Sequence, residues 1–358
     1  MERRLDARLR DLPSPAFHEL VGRISSVDEF KGWWKGRSHA YPSVLKRLRK
    51  QTIKVSADSS ARTAARNPFP PSRNPPWGKR RTGEGSGEGA QRAGYAELLR
   101  SVVSGFRDME FGQDLILRFH ADLFRYPSAH RAHRGRYKKI PDKPPAYIFG
   151  ELGSLALRPT EPHLIAREME ILTGWAADRL TSPGFHPLLV IPAFLLEFLA
   201  IRPFADGNGR MSRILATLLL LQCGYEHVSY LSLEKIIEER RMEYAIALRR
   251  AQAKRNVLRP DITAWLRVFL EGLQAQAAEL GTLLEGRTRE DRLSGNQRAV
   301  LSLLDRHGEV TIRLACRELG IPRDTAKQVL GRLYDRNLLL RSGAGRATRY
   351  LRVPLSAG

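Results

Sequence analysis

Cysteine is nearly absent: the 358 residues include two, Cys223 and Cys316. They form neither a CxxC pair nor part of a Cys/His cluster. That excludes a disulfide framework and a zinc site and points to a reduced compartment, the cytoplasm. Long apolar runs are also missing. Residues 187–196 and 214–221 are the most apolar stretches, far short of the roughly 20 that cross a bilayer, so they are read as buried helices. The charged opening, Met1-Glu2-Arg3-Arg4, lacks the apolar stretch of a signal peptide, and no membrane partner is expected. Acid is scarce: 38 Asp and Glu face 60 Lys and Arg, a formal charge of +22. Polyanions are the expected partners. At 42% hydrophobic and 27% charged the chain is neither disordered nor a small stapled scaffold, and its length suits two or three domains.

What is present divides into four regions. Residues 1–56 alternate apolar and charged positions at helical spacing, predicting two or three short helices around an aromatic knot of Phe30, Trp33 and Trp34. Residues 57–94 are rich in proline (Pro68, Pro70, Pro71, Pro75, Pro76) and glycine (Gly83, Gly85, Gly87, Gly89) and read as a linker. Between Lys46 and Arg92 stand 12 Lys and Arg against 3 Asp and Glu, read as a solvated basic connector. Residues 95–284 return to helical pattern, with one buried face at Leu115, Phe119, Leu123 and Phe124 and another at Leu164, Met169, Leu172 and Trp175. Within them, Pro141, Pro144, Pro145 and Gly150 around Tyr147-Ile148-Phe149 suggest a short β-hairpin lying over the helices. Residues 296–354 give helix, helix, tight turn, helix, then two strands around Gly343-Ala344-Gly345, the order of a winged helix-turn-helix. The fold expected is mainly α: a helical core with a hairpin flap, plus the C-terminal winged helix.

One string stands apart: Arg202-Pro203-Phe204-Ala205-Asp206-Gly207-Asn208-Gly209-Arg210-Met211-Ser212-Arg213, set between the two most apolar helices. Asp206 to Gly209 breaks the helical pattern, and Arg210 is read as opening the next helix. A glycine loop feeding a helix N-terminus exposes unpaired N–H groups and the positive end of the helix dipole to an anion. Arg210 and Arg213, three residues apart, share a face and can clamp successive phosphates. Asp206 beside bound phosphates suits Mg²⁺. A bare Gly-Asn-Gly is more often only a turn with a capping acid. Acid, glycines and two arginines in one register favour the anion site.

This string resembles the signature of the Fic family, His-Pro-Phe-x-Asp/Glu-Gly-Asn-Gly-Arg-x-x-Arg, which residues 203–213 match throughout. His120-Ala121-Asp122-Leu123-Phe124, Arg134-Gly135-Arg136-Tyr137 and residues 159–175 are similar to flanking features, so the resemblance covers residues 95–252. It implies the all-α Fic core and a reaction that moves AMP from Mg·ATP to a Ser, Thr or Tyr hydroxyl of a target protein. Asp206 would then hold Mg²⁺, the amides of residues 207–209 and the Asn208 side chain would cradle phosphates, and Arg210 and Arg213 would hold the β and γ groups. The hairpin near Tyr147 would dock the target chain by strand addition.

Two departures modify that picture. The family's catalytic His is replaced by Arg202, and a guanidinium, with a pKa above about 12, has no neutral form with which to accept a proton. Leu195, where many relatives carry a second His, is apolar. The family's inhibitory helix, Ser/Thr-x-x-x-Glu-Gly/Asn, is expected at residues 59–68, which contain no Glu to pair with the second signature arginine. These features predict a nucleotide-binding protein related to protein adenylyltransferases but impaired in catalysis, with an unidentified protein target. Two alternatives stay open: an active nucleotidyltransferase with a different base or donor, and a DNA-binding regulator whose Fic core senses a nucleotide. For the last, Arg323, Lys327 and Arg332 on the third tail helix and Arg341, Arg346 and Arg349 on the wing are the candidate phosphate contacts. Winged helices also serve as dimerisation or protein-docking modules, so a homodimer is among the other uses expected of this tail.

Overall fold

The computed structural model describes residues 1–65, 87–126, 133–141, 159–182, 184–253, 255, 261–291, 294–336, 338–343, 345 and 348–352. The chain divides into two units, Met1–Leu280 and Gly281–Gly358.

The first unit opens with α1 (Glu2–Arg10), α2 (Ser14–Arg37) and α3 (Pro42–Ala65). Two of these run to 24 residues each, so the helices are not the short pieces the sequence suggested. Pro13 and Pro42 stand where a helix starts, a position that tolerates a missing N–H. The predicted linker is also displaced at both ends. Ala57, Ser59 and Ser60 are buried within α3, and residues 87–94 already belong to α4 (Gly87–Gly105). Packing overrides composition here. Buried Ser56 donates to Glu234 Oε2 at 2.7 Å and Tyr95 of α4 donates to Glu234 Oε1 at 2.7 Å, so one buried carboxylate ties these helices together.

Next come α5 (Gln113–Leu123), α6 (Pro162–Thr181), α7 (Pro187–Ile201) and α8 (Asn208–Gln222). Every residue of α7 from Leu188 to Ile201 is buried, as an all-round apolar helix requires. His186 caps it by accepting from Leu188 N at 3.2 Å, and its other nitrogen meets Asp28 at 2.9 Å. The apolar faces of α5 and α6 are buried except at Leu164, which is 40% exposed. The unit closes with α9 (Leu233–Glu239), α10 (Arg241–Ala253) and the part of α11 (Thr263–Asp291) up to Leu280, which contributes buried Trp265, Leu266, Leu270 and Leu273. The predicted hairpin near Tyr147 falls at residues outside those described.

Glu197 is the one charged position of α7, and it is fully buried. Its carboxylate accepts from Arg4 at 2.8 Å, Arg8 at 2.7 Å and Arg255 at 2.8 Å. Asp6 accepts from Trp175 and twice from Arg179, at 2.8–2.9 Å. These contacts fix α1 against α6 and α7. Among the described residues, no helix is long and apolar enough to cross a membrane.

The second unit holds α12 (Gly295–His307), β1 (Glu309–Val310), α13 (Ile312–Leu319), α14 (Arg323–Asp335), β2 (Leu339–Ser342) and β3 (Arg349–Arg352). Ser294 and Gln297 form a reciprocal cap on α12. The sheet is antiparallel in the order β1-β3-β2, with Val310 opposite Tyr350 and Leu340 opposite Leu351. Residues 309–310 therefore pair as strand, and the second helix of the tail, α13, starts only at Ile312. Val300, Leu304, Val329, Leu330, Leu333 and Tyr350 share its core.

Candidate functional site

The signature string spans the end of α7, a short turn and the start of α8. Arg202 ends α7 in the left-handed region, at φ 50° and ψ 64°, the one non-glycine residue with positive φ among those described. A β-carbon is disfavoured there by about 1–2 kcal/mol. The half-buried Arg202 charge reaches α10: burial, and then the charge of Arg202, hold the Arg249 guanidinium below its ordinary value.

The turn is braced from within. Asn208 accepts from Phe204 N at 3.0 Å and donates to Phe204 O at 2.7 Å, so its amide closes a ring with the main chain four residues earlier. The side chain expected to cradle phosphate is spent on shaping the loop. Gly207 sits at φ 82°, and a β-carbon on it would lie 2.7 Å from the Phe124 ring, so no other residue fits without displacing that ring. Helix α8 begins at Asn208, two residues before the sequence suggested, because Gly207 supplies the turn. The first bond of the helix to the loop runs from Met211 N to Gly207 O at 2.8 Å. The N–H groups of residues 208–210 precede it and face the helix mouth.

Asp206 and Arg210 pair with each other. Asp206 accepts from Gly207 N at 2.6 Å and from Arg210 at 2.9 Å, with 52% of its side chain exposed. Arg210 is buried, donates also to Gln91 at 2.8 Å and lies over the Phe124 ring at 4.9 Å. Burial lowers its pKa, Asp206 opposes that shift and Arg213 adds to it. Arg213 is held by α3: Nε and Nη2 donate to Ser60 Oγ at 3.1 and 2.8 Å, and Nη2 to the Ser60 carbonyl at 3.2 Å. Residues 59–65 lie within α3, and Ser60 of that stretch is the residue that holds the second signature arginine.

His120 of α5 braces the loop from outside it, a role that spacing alone does not reveal. Its ring stacks on Phe204 with centroids 3.8 Å apart. Nδ1 accepts from Gly135 N at 3.0 Å, so in the neutral ring Nε2 carries the hydrogen and donates to the Asp206 carbonyl at 3.2 Å. With both nitrogens engaged, His120 holds the loop and is not placed to act as a base. Lys138 N donates to Pro203 O at 3.0 Å, which pins the stretch leading toward the predicted flap against the signature. A cleft of about 650 Å³ opens beside α3, lined by Ser59, Arg62, Lys235 and Glu238 among others.

In the second unit, Arg323, Lys327 and Arg332 are all exposed on α14. At 100° per residue, Arg323 and Lys327 share an edge and Arg332 lies half a turn away. Arg349 on β3 pairs with Glu309 at 2.6 Å, and Arg352 pairs with Asp305. Arg346 lies outside the described residues.

Residues 110–220 match the model of the Fic/DOC family, so this stretch, which contains the braced loop, is a Fic/DOC-family domain. Among solved structures, the chain is similar to a Fic family protein from Desulfovibrio desulfuricans G20 (19% identity, TM-score 0.51, 94% of this chain and 96% of that one). It is also similar to a Fic-domain-containing signaling protein from Bacteroides thetaiotaomicron (15%, TM-score 0.53, 72% and 95%). A third is Fic-1, residues 134–508, from C. elegans (17%, TM-score 0.53, 76% and 74%). At these identities the likeness establishes the fold.

Proposed function

We propose that the first unit binds ATP with Mg²⁺ at the Asp206–Arg213 loop and is a poor AMP transferase, acting on a protein hydroxyl at best slowly. The observation that carries this reading is Arg202, a permanent cation at the end of α7 where the family signature has its proton acceptor. Loss of a positioned base costs on the order of 10²–10⁴ in rate, while a fixed cation beside phosphates favours binding in the ground state.

The residues fit the ligand. Gly209 has no positive φ, and a β-carbon on it would meet only Arg213 Nη1 at an ordinary 3.5 Å. Its missing side chain therefore serves the open helix mouth, where a phosphate can approach the backbone. Arg210 can exchange Asp206 for a phosphate, and the half-exposed carboxylate is then released to the cation. A phosphate oxygen would replace the carboxylate oxygen on the guanidinium, so buried Arg210 is not left as an unpaired cation. Among the described residues no cluster of three or more His, Cys, Asp or Glu could hold a metal. A single carboxylate suits Mg²⁺, which keeps its waters and neutralises bridged phosphate oxygens. Arg213 must likewise leave Ser60 to reach the terminal phosphate.

Titration calorimetry with Mg·ATP tests the reading: Arg210→Ala should weaken binding at least tenfold, the loss of one or more charge-assisted bonds. Unchanged affinity would refute it. An active transferase with another base or donor would instead leave a reproducible adduct on a hydroxyl in a donor screen by mass spectrometry.

A second reading concerns the other unit, taken as a winged helix that binds DNA. It is favoured by the exposed, neighbouring Arg323 and Lys327 on α14. Duplex retardation that persists in Arg323→Ala/Lys327→Ala would dismiss this unit as the binding surface. We place the protein in the cytoplasm.

A further inference from the structure

Between Phe30 and Ala57 the chain carries eight Lys and Arg and no Asp or Glu. Five of them, Lys46, Arg47, Arg49, Lys50 and Lys54, fall in nine consecutive residues of α3. Lys46, Lys50 and Lys54 recur every fourth residue on one exposed edge, about 6 Å apart along the axis. Like charges at this spacing weaken a helix, so the row opposes the fold that contains it. Nor is it neutralised: Lys46, Arg47, Lys50, Lys54 and Arg100 have no acidic partner among the described residues. The β3 cations Arg349 and Arg352, by contrast, are paired with acids.

The row borders a cleft of about 410 Å³ between α3, α4 and the turn holding Tyr230, with Lys46, Arg49, Lys50 and Arg100 on its walls and Leu45 and Ile53 at its base. Arg49 is held in place, donating to Tyr230 Oη at 2.5 Å and lying over that ring at 4.8 Å. Its Nε is buried without a hydrogen-bond partner.

We propose that this cleft and the adjoining lysine row bind the sugar-phosphate backbone of nucleic acid without reading its sequence. A row about 12 Å long suits a linear polyanion better than a compact one. Tyr230 offers no stacking platform, because Arg49 covers one face and Trp34 packs 4.9 Å away against the ring. Recognition thus rests on charge alone. A lipid surface fits less well, since Leu45 and Ile53 are each only 7% exposed and leave no apolar stripe to insert. The site lies in the first unit, and the proposal is independent of both the ATP reading and the α14 reading.

The test is fluorescence anisotropy of a labelled 20-nucleotide single strand against the full chain, from 50 to 200 mM salt. Neutralising three contacts in Lys46→Gln/Lys50→Gln/Arg100→Gln should flatten the log–log salt slope by about 2. Wild-type affinity should therefore fall roughly 20-fold more than the variant's across that range. The charge-conserving Lys46→Arg/Lys50→Arg/Arg100→Lys should bind like wild type, and Arg323→Gln/Lys327→Gln should keep the slope difference. The substituted side chains are exposed, and thermal melts of all variants confirm folding. No binding by wild type at 50 mM salt, or an equal slope in the neutralised variant, overturns the proposal. So does a loss confined to vesicles of anionic lipid with oligonucleotide binding intact.

Discussion

Replacing Glu197 by glutamine probes the contact that fixes α1 to the helix ending in Arg202. The carboxylate is fully buried and takes hydrogen bonds from three guanidiniums, of which the side chains of Arg8 and Arg255 are 1% and 10% exposed. Arg255 keeps a second acid, Glu168, at 2.9 Å, but Arg8 has no other carboxylate and would remain as a buried, uncompensated cation. Removing one partner of such a pair costs about 3–5 kcal/mol, and the 30% exposed Arg4 adds little. For a unit of this size each kcal/mol corresponds to about 2 °C, so the melting temperature at pH 7 should fall by about 6–10 °C. Calorimetry measures this, and hydrogen exchange should show α1 losing protection first. The pH profile gives a second reading. Burial pushes the Glu197 carboxyl up, but Arg255, Arg8 and Arg4 together outweigh it, and the net pKa lies below the ordinary 4.5. Its contribution is thus present above pH 4.5 and lost as pH falls through the lowered value, so the acid limb should be steeper in wild type than in Glu197→Gln. A melting shift under about 2 °C with superimposable acid limbs would refute the reasoning.

The same logic extends to other sites. Ser60→Ala removes two hydrogen bonds to the Arg213 guanidinium and should destabilise the unit by about 1.5–3 kcal/mol while tightening Mg·ATP binding up to about tenfold, opposite signs that melting and titration calorimetry measure on one sample. His227 is buried among Phe30, Trp34 and Tyr225 with neither nitrogen hydrogen-bonded, and burial together with Lys31 lowers its pKa to about 4. The unfolded chain binds the proton first, so stability should fall by about 2–3 kcal/mol from pH 7 to 4.5, and His227→Leu should flatten that slope in denaturant titrations.

The signature was legible because its chemistry is local. Asp206, the glycines and the two arginines lie within eight residues, and the apolar runs flanking them became α7 and α8. The three helices and two closing strands of the tail were legible for a related reason: its turns carry glycine and its helices are amphipathic. What escaped depended on distant partners. Ser59 and Ser60 read as linker because small polar residues have no apolar signal, yet they are buried where α3 meets the loop. Asn208 was assigned to phosphate because its partner, the Phe204 main chain, cannot be identified from residue type. His120 announced a helix and not a loop contact, since the Asp206 carbonyl it reaches lies 86 residues away.

The most direct test of the central claim is intact-mass analysis after incubation with ATP and Mg²⁺, wild type beside Arg202→His and Arg202→Ala. The account predicts near-background AMP adducts in wild type and Arg202→Ala, and a rise of on the order of 10²–10⁴ in Arg202→His at similar ATP affinity. Strong adduct formation by wild type, undiminished in Arg202→Ala, would contradict it.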